Sequence, residues 1–188
     1  HARAAPAAYS AGMKITALHI RCVNVPMPPH RTASGVVAAS PLVLLTLKTD
    51  QGVEGHGITF TYSPAALKPV ADFMQAMQPL LEGQALAPAA LSDSLHGRFK
   101  LLGTQGLVGM ALAGIDMALW DALARAQGLP LAALLGGTPR PTPRPTPAYG
   151  GIGYDGAAET ARAGEAWARR GFTGVKARSE ERRGGKEC

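Results

Sequence analysis

Lys176 and Arg178 stand two residues apart in the stretch FTGVKAR, which reads as a buried strand ending in two cations. Residues two apart on a strand face the same side. Both charges would therefore point from one strand end into one space. Such a pair can bind a carboxylate, and a lysine buried beside a second cation can transfer a proton. The same spacing also suits a solvated strand end, and spacing does not separate the two. Tyr62 follows another strand at a loop edge, where it could reach a pocket or simply pack. His56 in VEGHGITF reads as a strand histidine satisfied by backbone, and Asp116 and Asp121 as structural carboxylates on an apolar helix. No P-loop, G-x-S-x-G or H-E-x-x-H occurs.

The elements that would have to position these side chains can be read from the pattern. Ile15, Ala17, Leu18, Ile20 and Val23 suggest a first strand. The Pro-, Gly- and Ser-rich NVPMPPHRTASGVVAAS reads as a loop, since its prolines exclude a central strand. PLVLLTLKT and GVEGHGITF are strands joined by a turn at Asp50, Gln51 and Gly52. SPAALKPVADFMQAMQPLLEG is a helix with Ser63 as N-cap and Pro64 at its first position. LAPAALSDSLHGRF is a second helix, and the apolar TQGLVGMALAGIDMALWDALARAQG a third, ended by Gly128 and Pro130. PLAALLGG is a short helix closed by glycines, and the repeated TPRP after it is an extended linker. Beyond it, AYGGIG, DGAAETARAGEAWARRG and FTGVKAR make strand, helix and strand, a βαβ unit with parallel strands. Barrels of the (β/α)₈ type carry their chemistry at the C-terminal ends of strands, which is where Lys176 and Arg178 fall.

Composition sets the outer bounds. A chain of 188 residues suffices for one domain, or one domain and the start of another. With 46% hydrophobic and 17% charged residues it belongs among globular sequences. A net charge of +6 invites nucleic acid as a partner, but aromatics are 5% and no basic stripe interleaves with them, so no nucleic-acid partner is expected. Cys22 and Cys188 lie far apart and no C-x-x-C occurs, which disfavours a disulfide framework or zinc site and fits a reducing, cytoplasmic location. No uninterrupted apolar run approaches about 18 residues, so no membrane partner is expected either. HARAAPAAYSAG lacks the apolar centre of a signal peptide, and Met13 looks like a natural start. Residues 1–12 are expected to be an unstructured extension.

Three stretches carry a likeness to a known family. VNVPMPPHRTASGVVAASPLVLLTLKTDQGVEGHGITFTYSPAAL, then GLVGMALAGIDMALWDALARAQGLPLAALLGG, then PAYGGIG with GVKAR, resemble the mandelate racemase/muconate lactonizing group of the enolase superfamily, in register over residues 13 to 178. The resemblance implies an α+β capping domain at 13–137, an antiparallel sheet followed by helices, and the first βαβ of a truncated (β/α) barrel at 138–178. It implies a fragment of a mandelate racemase-like enzyme that removes the α-proton of a 2-hydroxy carboxylate, with Mg²⁺ in the full-length parent stabilising the resulting enolate. It also implies a homo-oligomer. In the family a K-x-K motif closes the second barrel strand. Its first lysine helps hold the substrate carboxylate and its second is a proton-transferring base. Lys176 matches the first and Arg178 takes the place of the second. Arginine is a poor general base, although some acid-sugar dehydratases of the superfamily carry K-x-R here. Met27 to Val37 match a flap that closes over substrate, with His30, Ser34 and Val37 lining the pocket, and Tyr62 matches a pocket tyrosine. His30 and Ser34 are polar where the mandelate-specific member is apolar, which argues against an aromatic substrate.

SEERRGGKEC does not continue the pattern. The family runs on for roughly two hundred residues, about what the rest of a barrel needs, and places its metal carboxylates and a His–Asp base pair there. Residues 179–188 are expected to be a non-native tail, and Arg178–Glu181 matches the translation of a common sequencing adapter (AGA TCG GAA GAG). The 188-residue chain is thus expected to bind no metal and to be inactive alone. The alternatives are a fragment of an acid-sugar dehydratase of the same superfamily or a non-catalytic capping and binding module.

Overall fold

The computed structural model describes residues 12–32, 35–138, 146–153 and 156–176. The extension before residue 12, most of the repeated TPRP, and everything after Lys176 lie outside them. The chain divides into two compact units, one of His1–Pro26 with Ser40–Pro139, the other of Met27–Ala39 with Arg140–Cys188.

β1 (Ile15–Thr32), β2 (Gly35–Thr49) and β3 (Glu54–Phe60) form one sheet in the order β1-β2-β3, with the end of β1 from Met27 and the start of β2 up to Ala39 counted in the second unit. β2 and β3 pair antiparallel from Leu42↔Phe60 to Lys48↔Glu54. The expected turn joins them: Gly52 has φ 76° and donates to the Thr49 carbonyl at 3.2 Å. The Asp50 carboxylate accepts from the Lys14 amide at 2.9 Å, tying the turn to the start of β1.

Residues 24–32 and 35–40 are not the loop that their composition predicts. β1 runs through Pro26, Pro28 and Pro29 to Thr32, and β2 begins at Gly35. β1 is an edge strand of the sheet, and an edge strand tolerates prolines because part of its backbone needs no ladder partner. Pro41 is harder to place, since β2 is central. Its carbonyl accepts from the Thr61 amide at 3.0 Å, but it has no N–H to return. The Thr61 carbonyl takes the Ser63 amide instead, at 2.6 Å, and the β2–β3 ladder ends there.

The helices cover one face of this sheet. α1 (Pro64–Ala76) starts as expected, with the Ser63 hydroxyl accepting from the Ala65 amide at 3.3 Å. The single helix expected through residue 83 is broken: α1 stops at Ala76 and α2 (Gln78–Leu81) follows. Pro79 accounts for the break, because it lacks the N–H that would bond the carbonyl four residues back. α3 (Pro88–Arg98) and α4 (Gly106–Ala126) complete the layer, and α5 (Leu131–Leu134) comes next. α4 ends in a Schellman motif, with the Gly128 amide bonded to the Arg125 carbonyl and the Leu129 amide to that of Ala124. Gly136 closes α5 in the same way.

Val43, Leu45 and Leu47 alternate into the core from β2 and meet Val70 and Met74 of α1, Leu91 and Leu95 of α3, and Ile115 and Leu119 of α4. By length and apolarity α4 could cross a membrane, but half of it is buried within this core. Asp116 and Asp121 interrupt the run.

β3 lies against α4 with little but backbone between them. Gly55, Gly57 and Thr59 form its buried face. A Cβ on Gly57 would overlap the Gly114 carbonyl, and one on Gly55 would overlap the Ala118 carbonyl and Ala122. Asp121 fastens the same pair of elements: its Oδ2 accepts the His56 amide at 2.8 Å and the Arg125 Nε at 2.7 Å. The carboxylate thereby satisfies an amide on the edge of β3 that has no strand beside it.

In the second unit β4 (Gly150–Gly151) and β5 (Val175–Lys176) pair parallel across α6 (Ala157–Arg169), the expected βαβ start of a β/α barrel-like unit. The Trp167 indole lies over Gly150, where any Cβ would strike the ring, and its Nε1 donates to the Gly151 carbonyl at 2.9 Å.

Gly57→Ala should therefore cost about 3 kcal/mol in urea unfolding, because the clash is with backbone and cannot be relieved by a rotamer. Gly97→Ala, in open space on α3, should instead stabilise by about 0.5–1 kcal/mol. Equal midpoints for the two variants would contradict the close β3–α4 contact.

Candidate functional site

Tyr62 sits where the β2–β3 ladder has just ended and α1 has not begun. The chain must reverse within two residues, and Tyr62 does so at φ 60°. A bulky residue held at positive φ costs about 1–2 kcal/mol, and such outliers gather at functional sites. Its side chain is 74% exposed and its ring meets that of Phe60 at 4.6 Å between centroids. Ile58 and Phe60 share the outward face of β3, and the register sets Leu44 and Leu42 opposite them on β2. One end of that face is thus apolar, while the other carries Thr46 opposite His56 and the Lys48–Glu54 ion pair.

Lys176 is the last residue of β5 and is exposed. The register Gly150↔Val175 and Gly151↔Lys176 sorts the side chains of this strand pair into two faces. Gly150 and Val175 share the face that Trp167 of α6 covers. Lys176 points to the opposite face, together with Tyr149 from the residue before β4. The ammonium of Lys176 stands 5.9 Å from the Tyr149 ring centroid. Sequence reasoning misses Tyr149. The signal for it exists, because pairing AYGGIG with GVKAR in parallel puts Tyr149 on the lysine's face.

The remaining expected residues fare differently. Val37 is half-buried in β2 and belongs to the same unit as Lys176, whereas Tyr62 belongs to the other. Ser34, Arg178 and the side chain of His30 lie outside the described residues. His56 is not satisfied as expected: its ring Nδ1 meets the Thr46 hydroxyl at 3.3 Å, and only its amide is used by Asp121. Asp121 is the structural carboxylate that its place on the helix suggests. Asp116 lines a shallow crevice with Ser92 and His96. His96 Nδ1 is already committed to the Ser92 carbonyl at 2.8 Å. A carbonyl only accepts, so that nitrogen carries the proton. The one clear displacement of an ionisation among the described residues lies on exposed α6, where Glu159 pushes Arg162 upward, through a hydrogen bond first and charge second.

Among the described residues no three His, Cys, Asp or Glu side chains converge as metal ligands. They do not fit the Mg²⁺ that the family likeness implies, and none is assigned to it.

Residues 15–136 match the N-terminal domain of mandelate racemase / muconate lactonizing enzymes. The chain belongs to this family. An enolase from Bradyrhizobium, crystallised with magnesium and mandelic acid, is 42% identical with a TM-score of 0.76, over 87% of this chain and 45% of that one. A D-mannonate dehydratase from Novosphingobium aromaticivorans is 37% identical across 58% of this chain and 28% of its own length. A hydrophobic dipeptide epimerase from Roseobacter litoralis is 35% identical across 57% of this chain and 29% of its own. The chain thus spans under a third of these curated relatives and under half of the crystallised one. It shares with them the mandelate racemase/muconate lactonizing cap and, with the crystallised protein, part of the β/α region beyond the cap.

If the described residues hold no metal site, millimolar Mg²⁺ should leave the thermal midpoint of the chain unchanged, since only a ligand that prefers the folded state raises it. A reproducible rise would place a site on residues outside those described.

Proposed function

We propose that this chain is the cap and first β/α unit of an enolase-superfamily enzyme that removes the α-proton of a 2-hydroxy carboxylate. The observation that carries the reading is Lys176, a cation at the C-terminal end of β5 on the face turned away from α6. That is the side on which a β/α barrel gathers its chemistry. In this reading Lys176 holds the substrate carboxylate. His30, Ser34, Val37, Tyr62 and Arg178 are proposed for the substrate site from the family likeness alone.

Among the activities open to such an enzyme, elimination of water from an acid sugar is favoured over racemisation of mandelate. The D-mannonate and D-galactonate dehydratase relatives support this, and so do the polar His30 and Ser34 in the pocket segment. The mandelic acid bound to the Bradyrhizobium protein keeps mandelate as the second reading. All of these reactions begin by breaking a C–H bond next to a carboxylate or carbonyl.

The test begins at the DNA, amplified from its source and read past codon 177. The encoded protein is then incubated in D₂O with Mg²⁺ and mandelate, gluconate, mannonate or galactonate. Loss of the α-proton signal from one of them is the expected outcome. Release of a 2-keto-3-deoxy acid would identify a dehydratase, and exchange without elimination a racemase. No exchange from any 2-hydroxy acid would overturn the proposal.

A further inference from the structure

We infer that Trp167 is a positioning residue for Lys176, acting through the edge of β4. The inference rests on the reading of Lys176 as the carboxylate-binding cation. Gly150 and Ile152 turn their amides to β5 and donate to the Gly174 and Lys176 carbonyls, each at 3.1 Å. Alternate residues of a strand bond to opposite sides, so Gly151 turns its carbonyl to the other edge of β4. Among the described residues no strand pairs with that edge. The Trp167 Nε1 takes the place of one and donates to the Gly151 carbonyl at 2.9 Å. This bond falls where the pair is weakest. Gly150 and Gly151 follow one another, glycine has the freest backbone of any residue, and Gly151 is the residue that the register sets opposite Lys176. The indole reaches Gly151 only because Gly150 has no Cβ to strike the ring. The ring is itself held. The Arg170 guanidinium lies over it at 4.6 Å from the centroid, Phe172 meets its edge at 4.8 Å, and the Phe172 amide bonds the Trp167 carbonyl at 3.1 Å. A chain of contacts thus runs from α6 through the indole N–H to Gly151, and across the ladder to Lys176. It uses the edge and the α6 side of the strands and leaves the lysine's face open to a carboxylate.

The chain has two tryptophans, and among the described residues the Trp120 indole makes no hydrogen bond, so it serves as the internal reference. In NMR of the ¹⁵N-labelled chain, the Trp167 indole N–H, identified by its loss in Trp167→Phe, should exchange with solvent more slowly than that of Trp120. Equal exchange overturns the inference, even if the variant does not fold. Trp167→Phe keeps a ring over Gly150 and removes the N–H. It should speed exchange of the Ile152 amide, which donates to Lys176, by roughly two- to tenfold, the worth of one hydrogen bond. The thermal midpoint should hardly move. An Ile152 amide that is unaffected in the folded variant overturns the inference. So does a fall in midpoint that accounts for the whole effect, since the tryptophan would then only stabilise. Titration with mandelate, as a simple carboxylate probe, reads the consequence at Lys176 in the chain carrying ¹³Cε-labelled lysine. The Lys176 signal, identified by its loss in Lys176→Arg, should respond in the parent and need more mandelate in Trp167→Phe. An equal response in both overturns the inference. No response in either, with the Ile152 amide loosened as expected, leaves the positioning standing and counts against Lys176 as the carboxylate cation.

Discussion

The cap depends on the near-contact of two backbones. β3 and α4 approach so closely that Gly55 and Gly57 on one side, and Gly114, Ala118 and Ala122 on the other, leave no room for larger side chains. Small residues gain no great area of apolar burial, so this contact matters less for its own energy than for the geometry it enforces. It sets the distance between sheet and helix. The larger side chains of β2, Val43, Leu45 and Leu47, then fill the space beside it against α1, α3 and α4. Thr59 shows how tight the fit is, since its hydroxyl must donate to the Met110 carbonyl at 3.3 Å to be buried without loss.

Once the small face of β3 is turned inward, strand alternation turns Ile58 and Phe60 outward. The chemistry of Pro41 then decides where the strand stops. Because that residue cannot return a hydrogen bond to Thr61, the Thr61 carbonyl is free to bond Ser63, and α1 begins with Ser63 as its cap. Tyr62 is caught between these two commitments. Its positive φ arises from a ladder that ends one residue before and a helix that starts just after. A candidate pocket residue is thus placed by a missing amide hydrogen on a neighbouring strand.

Much of this was legible in the sequence, for identifiable reasons. The helix ends at Gly128, Gly136 and Gly171 were readable because a left-handed C-cap needs glycine, and the structure uses each one so. The parallel β4–α6–β5 unit was readable from its alternating pattern and helix length. The long arms of β1 and β2 were not. A proline-rich, small-residue stretch carries the same local signal whether it is a loop or the end of an edge strand, and only knowledge of which strand is the edge separates them. Pro79 breaks a helix that Pro69 does not break, although the two look alike in sequence. The role of Asp121 was legible as structural but its partner was not, because the edge of β3 is a property of sheet order. On the candidate site, spacing singled out Lys176 as a candidate together with Arg178, which lies outside the described residues. Tyr149 was missed because its relation to Lys176 runs across strands rather than along one.

The β4–β5 pair is held from outside its own ladder. Two residues of parallel pairing cannot sustain themselves. Trp167 supplies what the ladder lacks: its ring covers Gly150, its N–H satisfies Gly151, and its edge meets Phe172 at 4.8 Å just before β5. Arg170 then closes over the indole at 4.6 Å. The position of Lys176 therefore depends on a side chain on the opposite face of the strands, which fixes Gly151 and, through the register, the residue paired with it. The glycines serve both faces at once. Gly150 must lack a Cβ to admit the indole, and the absence of side chains at Gly151 and Gly174 lets the lysine lie towards Tyr149. A sequence of small residues that looks featureless in AYGGIG and FTGVK is what allows an aromatic ring below the strands and an ammonium above them to be set against each other.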